Sequence, residues 1–136
     1  MAATIHITNT FLSARLASLA TNALKCVLID ISTYNKATDT VLADLTQVAG
    51  TGGYSTGGYA ITSALVTPAN AVDVFTTVVF TIPTLSGSTT ISATGAAIID
   101  TTDGNKIIAV DDFGATVASS GGTYSVAPIT LKFTHF

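Results

Sequence analysis

The strongest constraint on the fold of this chain is a change in the spacing of its apolar residues near residue 23. Residues 8–23 repeat apolar side chains at the spacing of one helix face, after polar residues suited to an N-cap. From residue 26 onwards the spacing becomes two, which is typical of β-strands. We therefore expect an extended arm at residues 1–7, one α-helix at 8–23, and strands over 26–133.

The clearest predicted strand spans residues 72–82, where apolar and Thr side chains alternate over eleven positions. Phe80 and Ile82 fall on one face, whereas Phe75 and Val79 fall on the other. Because the second face is also apolar, something must cover it. We expect the helix to cover part of this face, and the alternative is a neighbouring subunit.

The remaining strands follow from apolar runs that are separated by turn residues. Asp103-Gly104 between two apolar runs predicts a β-hairpin, and Pro128 predicts an edge or a bulge in the last strand. Strands are predicted at 26–31, 59–66, 90–100, 106–113 and 123–133, with a short strand or helical turn at 41–48 and polar turns at 32–40, 84–88 and 119–122. The chain lacks strand–helix–strand alternation, so we expect one mainly β domain over residues 1–136: an antiparallel β-sandwich, jelly-roll or immunoglobulin-like, with one N-terminal helix.

Composition narrows the possible functions. Charged residues make up 10% of the chain, the net charge is −3, and all eight acidic residues are Asp. Five scattered basic residues give no footprint for nucleic acid or for an anionic membrane. Mean hydropathy is +0.58, which leaves a surface of Thr, Ser, Gly and apolar groups. Such a surface favours a subunit that packs against copies of itself or a partner.

No arrangement of residues typical of catalysis is evident. His6 and His135 lie near opposite ends of the chain, outside any metal-binding spacing with Cys26. Cys26 lies in an apolar run and is expected to be buried, and no secretory signal is seen. The acidic residues around the hairpin (Asp100, Asp103, Asp111 and Asp112) are expected to be solvated. We therefore predict no catalytic residue, no metal and no cofactor.

The Gly-rich loop at residues 50–59 invites comparison with a phosphate-binding loop. Phosphate loops lead into a helix, whereas this loop leads into a β-branched strand without a nearby Lys. We expect a turn region in which Tyr54 and Tyr59 act as anchors.

The order of several segments suggests a family. A helix with Asn9-x-Phe11 and Arg15-Leu16 comes first, and Leu24-Lys25-Cys26-Val27-Leu28-Ile29-Asp30 follows. Gly-Tyr-Ser-Thr-Gly-Gly at 53–58 and Val-Asp-Asp-Phe-Gly at 110–114 are the most specific parts. From about residue 9 to residue 133, the chain resembles small virion structural proteins of tailed bacteriophages, which are often called head decoration or capsid cement proteins.

The resemblance implies a non-enzymatic subunit, made in the host cytoplasm, that binds the major capsid protein and copies of itself as a dimer or trimer. The alternatives are a tail, neck or baseplate component and, from a different class, a carbohydrate-binding module for host attachment. Neither a nucleic acid nor a membrane is an expected partner. The expected assembly contacts are Ile5, His6, Ile7, Tyr34, Tyr54, Tyr59, Phe75, Val79 and Phe136.

Overall fold

The protein is mainly β. The computed structural model describes residues 17–51, 53–66, 76–87, 90–127 and 129–133. Its strands are β1 (Leu24–Ile29), β2 (Tyr59–Val66), β3 (Thr76–Thr81), β4 (Leu85–Ser86), β5 (Ser92–Asp100), β6 (Lys106–Ala118), β7 (Thr123–Tyr124) and β8 (Ile129–Phe133). Every pair of adjacent strands is antiparallel, as the lack of strand–helix–strand alternation predicts.

Six strands form one sheet in the order β6-β5-β1-β2-β3-β8, and β4 pairs with β7 in a small second sheet. Strand β2 changes partner along its length. Its first residues pair with β1, with Ile61 opposite Leu24, whereas Thr62 and the residues after it pair with β3. This change of partner allows the sheet to turn between its two halves.

The main core lies on one face of β1 and β5. It includes Cys26 and Leu28 from β1 and Ile98 from β5, together with Phe80 from β3 and Tyr124 from β7. In the strand order, β5 and β3 are separated by β1 and β2. A core shared by these strands therefore means that the sheet curls around it.

The opposite face of β1 and β5 is also buried. Val27 and Ile29 pack there with Ala97, Ile99 and the loop residue Leu45, and we call these five residues the second cluster. Burial on both faces explains why β1 and the second half of β5 are nearly continuous apolar runs without alternation. The loop at residues 31–45 therefore forms a layer of its own over this face.

The described helical segment covers residues 17–21. Leu19 packs on the main core, and its carbonyl oxygen accepts a hydrogen bond from Ser63 Oγ at 2.9 Å. The rest of the predicted helix and the arm at residues 1–7 lie outside the described residues. The prediction that the helix covers Phe75 and Val79 stays a prediction, because Phe75 is also outside them.

Strand β2 confirms the prediction, the hairpin of β5 and β6 confirms the predicted turn, and the predicted helical turn is a 3-10 turn at Leu42–Asp44. Other boundaries are wrong. Strand β6 continues to Ala118 instead of ending at residue 113, because its second half still pairs with the start of β5. Strand β1 begins two residues early, at Leu24, and ends at Ile29 because Asp30 caps a 3-10 turn there. The turn predicted at 84–88 contains β4, since Leu85 pairs with Tyr124. The predicted last strand is two strands, which pair with different partners.

Candidate functional site

A groove of about 870 Å³ runs along β6, beside the loop at residues 31–41. Its walls come from this loop and from the first half of β6. The lining residues are Ile31, Tyr34, Lys36, Asp39, Thr40, Val41, Lys106, Ile107, Ile108, Ala109, Val110 and Asp112. It combines an apolar floor with a few charged side chains at its rim.

Asp side chains hold the loop in place. Asp30 Oδ1 accepts hydrogen bonds from the backbone N–H and the hydroxyl of Ser32, at 3.0 and 2.7 Å. Asp44 Oδ2 accepts from the N–H groups of Thr40 and Val41, at 2.8 and 3.1 Å. These bonds lower the pKa of Asp30 and that of Asp44 below their ordinary values. The acidic residues of this loop therefore build turns.

Backbone hydrogen bonds fasten the loop to β6 at one end of the groove. Ile107 N–H donates to the carbonyl of Thr40, and Leu42 N–H donates to that of Asn105, both at 2.9 Å. Strand β6 is the last strand of its sheet. Beyond Ile107, no residue in the described part of the chain forms a backbone hydrogen bond with the outer edge of β6. The groove thus lies beside a bare strand edge.

The floor of the groove continues into the core. Ile31, Ile107 and Val110 pack on the second cluster, and partly buried Tyr34 packs beside them. The ion pair between Lys106 Nζ and Asp103 Oδ2, at 3.0 Å, is exposed to solvent, so it stabilises the fold little.

Strand β6 is irregular in two places. Its register against β5 shifts between Ile98 and Ile99 and again between Ala93 and Gly95. Gly114 has φ of 70°, and its N–H donates to Asp112 Oδ1 at 2.8 Å. Bulges of this kind interrupt a sheet edge and limit how long a strand can pair with it. The regular part of the edge is therefore short and lies beside the groove.

The expectation that the acidic residues around the hairpin are solvated is wrong for Asp100, which is buried. It is 3% exposed, and its Oδ2 accepts from Asn22 Nδ2 at 2.6 Å. Its Oδ1 accepts from the N–H groups of Thr102 and Asp103, at 3.0 and 3.2 Å. The side chain links the residue after the helix to the hairpin turn. The Asp103-Gly104 turn places Asp100 beside a hairpin in the sequence, but only the fold shows that Asn22 is the partner of Asp100.

The tyrosines of the Gly-rich loop point inward. Tyr54 is 3% exposed, and its hydroxyl accepts a hydrogen bond from Leu28 N–H at 3.1 Å. Tyr59 is partly buried, and its ring meets that of Tyr54 edge-on at a centroid distance of 6.2 Å. Tyr54 is therefore an anchor of the core, as its place in the turn suggests, and has almost no surface to offer a partner or a sugar ring.

The interior around Cys26 is inert chemically. Burial raises the pKa of the Cys26 thiol to about 12, so the nucleophilic thiolate is scarce at neutral pH. Burial also raises the pKa of Tyr124 to about 12 and that of Tyr59 further. The hydroxyl of Tyr124 has no hydrogen-bond partner among the described residues. With pKa values raised in this way, neither the Cys26 thiol nor these two Tyr hydroxyls can act as a base near neutral pH.

Of the predicted contact residues, the structure places Tyr34 in the groove wall and leaves Val79 partly buried in β3. Ile5, His6, Ile7, Phe75 and Phe136 lie outside the described residues. The first half of β6 is not among the predicted contacts, because the apolar run there predicts only one arm of a hairpin. The described residues contain no cluster of three His, Cys, Asp or Glu side chains that could hold a metal ion. They also contain no helix long and apolar enough to cross a membrane.

Comparisons of the chain with protein-family models, with curated proteins and with solved structures find no match.

Proposed function

We propose that this protein is a non-enzymatic structural subunit of a bacteriophage virion, and specifically a capsid decoration or cement protein. One observation carries the proposal: a bare, mostly uncharged stretch of the edge of β6 lies beside an apolar groove of about 870 Å³. A strand edge of this kind is a template for pairing with another chain. The resemblance of the sequence to virion proteins is the reason why we propose a virion as the assembly that it joins.

Such a subunit binds the major capsid protein lattice and copies of itself at local symmetry axes, as a dimer or trimer. Weak contacts suffice there, because many of them act together around a closed shell. A protein that binds only the assembled shell stabilises it by mass action. A sparsely charged surface suits this function, because the contacts bury few charges that would need partners.

We further propose that the curled sheet and the β4–β7 pair form the layers of an antiparallel β-sandwich, jelly-roll or immunoglobulin-like. Leu85 of β4 and Tyr124 of β7 pack on the same core as Ile98 of β5, which supports two facing layers. A crystal structure tests this directly. Two facing layers with a common core are the expected result, and a single open sheet would contradict it.

Particle stability tests the proposed function. Virions stripped of this protein should lose DNA at lower temperature than complete virions, and adding the purified protein back should restore the difference. Gel densitometry of purified virions supplies the copy number, for which we expect hundreds per particle. A copy number between six and a few dozen would instead indicate the alternative, a tail, neck or baseplate component. Unchanged particle stability at low copy number would refute the cement function.

A further inference from the structure

Strand β6 offers an incoming segment two things at once. Its outer backbone edge lacks a partner beyond Ile107 among the described residues. The groove beside that edge has an apolar floor that includes Ile31 and Val110. An extended segment laid along the edge would bond to the main chain and place alternate side chains in the groove, which is how strands add to sheets.

The charges of the groove restrict what can bind there. Its lining contains two cations, Lys36 and Lys106, and two anions, Asp39 and Asp112, so the formal charges cancel (2 − 2 = 0). A strongly charged segment would meet a like charge at either rim, which is unfavourable. The groove therefore fits an uncharged segment with apolar residues at every second position.

The chain itself contains such a segment before its first described residue. Residues 4–8 read Thr-Ile-His-Ile-Thr, without a formal charge when His6 is neutral. All but His6 are β-branched, a feature that favours extended backbone. In an added strand, Ile5 and Ile7 would share one face and could both enter the groove.

The positions of the helix and the groove favour a segment from another copy. The helical residues 17–21 pack through Leu19 on the main core. The floor of the groove packs on the second cluster, across the β1–β5 layer. A segment from the same copy would have to pass around the sheet to reach the groove. Residues 9–16, which the sequence predicts as part of the helix, separate this segment from the described helical residues. At 1.5 Å per helical residue they span only about 12 Å, which leaves little chain to pass around the sheet.

We propose that the groove beside β6 binds residues 4–8 of a second copy of this chain as an added strand. The proposal rests on the proposed function, because it takes another copy as the partner. If each copy gives its arm and receives one, the exchange closes into a symmetric dimer or ring.

Disulfide trapping in the full chain tests the contact. Cys26 is the only native cysteine and is buried, so introduced thiols can be followed alone. A tagged His6→Cys protein is mixed with Lys36→Cys, at the exposed rim of the groove, and in parallel with Ser86→Cys on the exposed small sheet. We expect at least about tenfold more mixed disulfide with Lys36→Cys, because docking concentrates the two thiols.

Equal yields with Lys36→Cys and Ser86→Cys would overturn the proposal. So would a His6→Cys/Lys36→Cys double variant that closes its disulfide only within one chain, since the arm would then bind its own groove. A wild-type protein that is monomeric, together with no mixed disulfide between the His6→Cys and Lys36→Cys proteins, overturns it as well.

Sedimentation equilibrium supplies a second measurement. The Ile5→Asp/Ile7→Asp variant should raise the dissociation constant of self-association at least about tenfold, since charged groups cannot enter the apolar floor. The matched Ile5→Val/Ile7→Val variant should stay within about twofold of the wild type, since little apolar area changes. An unchanged unfolding transition shows that each variant is folded.

If the Asp variant associates as tightly as the wild type, the arm is not the occupant, while the proposed structural function stands. If the wild-type protein neither associates nor enters virions, the proposed function itself fails. The two failures are therefore distinguishable.

Discussion

At the scale of single residues, this protein uses polar side chains to hold backbone in place. Asp30, Asp44 and Asp100 each accept hydrogen bonds from backbone N–H groups. Tyr54 does the same for Leu28 in the middle of β1. Several of the few charged residues of the chain therefore serve its own turns.

Two neighbouring glycines make a sharp test of close packing. Gly57 and Gly58 both have positive φ, 98° and 84°. A Cβ at Gly58 would collide with the carbonyl oxygen of Cys26 and lie 2.7 Å from Val27 Cγ2, whereas one at Gly57 would meet nothing within 4 Å. We expect Gly58→Ala to lower the free energy of unfolding by about 3 kcal/mol or more. Gly57→Ala should cost only about 1 kcal/mol, from backbone strain.

Urea denaturation of both variants gives the two free energies. Equal losses would show that β1 moves away to accommodate the methyl group, and that the approach of the loop to Cys26 is loose.

Two buried tyrosines should respond differently to loss of the hydroxyl. In Tyr54→Phe the N–H of Leu28 loses its acceptor, and we expect a loss of about 1–2 kcal/mol in the free energy of unfolding. The hydroxyl of Tyr124 has no partner among the described residues, so Tyr124→Phe should change that free energy by less than about 0.5 kcal/mol. Thermal unfolding of the two variants measures the difference. A larger loss for Tyr124→Phe would reveal a hydrogen bond to its hydroxyl.

At the scale of elements, the sequence was informative where a pattern is local. Alternation defined β2, and Asp103-Gly104 defined the hairpin of β5 and β6. The two-residue strands β4 and β7 are too short to show a period, and they exist because Leu85 and Tyr124 meet across the core. The groove could not be predicted from a local pattern either. Its wall depends on the hydrogen bond from Ile107 to Thr40, which joins residues far apart in the chain.

The loop over the second cluster should lose part of its stability in acid. Hydrogen bonds from Thr40 and Val41 lower the pKa of Asp44 below its ordinary value of 3.8. A lowered pKa stabilises the folded loop above that ordinary value, and this contribution disappears as the pH falls through the lowered one. The amide NMR shifts of Thr40 and Val41 should therefore titrate with a midpoint below 3.8.

Asp44→Ala should abolish this titration and speed hydrogen exchange at Ile107, since the loop then loses its caps. Asp103→Ala is the control, because its carboxylate forms only an exposed ion pair with Lys106. A midpoint above 3.8 would contradict the capping geometry.

At the scale of the whole molecule, stability should fall in alkali. Burial raises the pKa of Tyr124 from its ordinary value of 10.0 to about 12. A raised pKa means that the unfolded chain releases this proton at lower pH than the folded one. The contribution of Tyr124 to the free energy of unfolding should therefore be constant below about pH 10 and fall as the pH rises towards 12. Tyr124→Phe should fall less steeply, and urea melts at a series of pH values compare the two slopes. Identical slopes would show that Tyr124 does not contribute to the loss.

The placement of β1 between β5 and β2 in the sheet also affects how the chain folds during synthesis. Leu24 pairs with Asp100, so β1 leaves the ribosome long before its principal partner exists. Until then its apolar residues have only the start of β2 to pair with. Contacts so distant along the chain slow folding, to roughly milliseconds or seconds. The growing chain thus passes through a stage in which its central apolar strand is exposed, and the speed of translation between β2 and β5 sets how long that stage lasts.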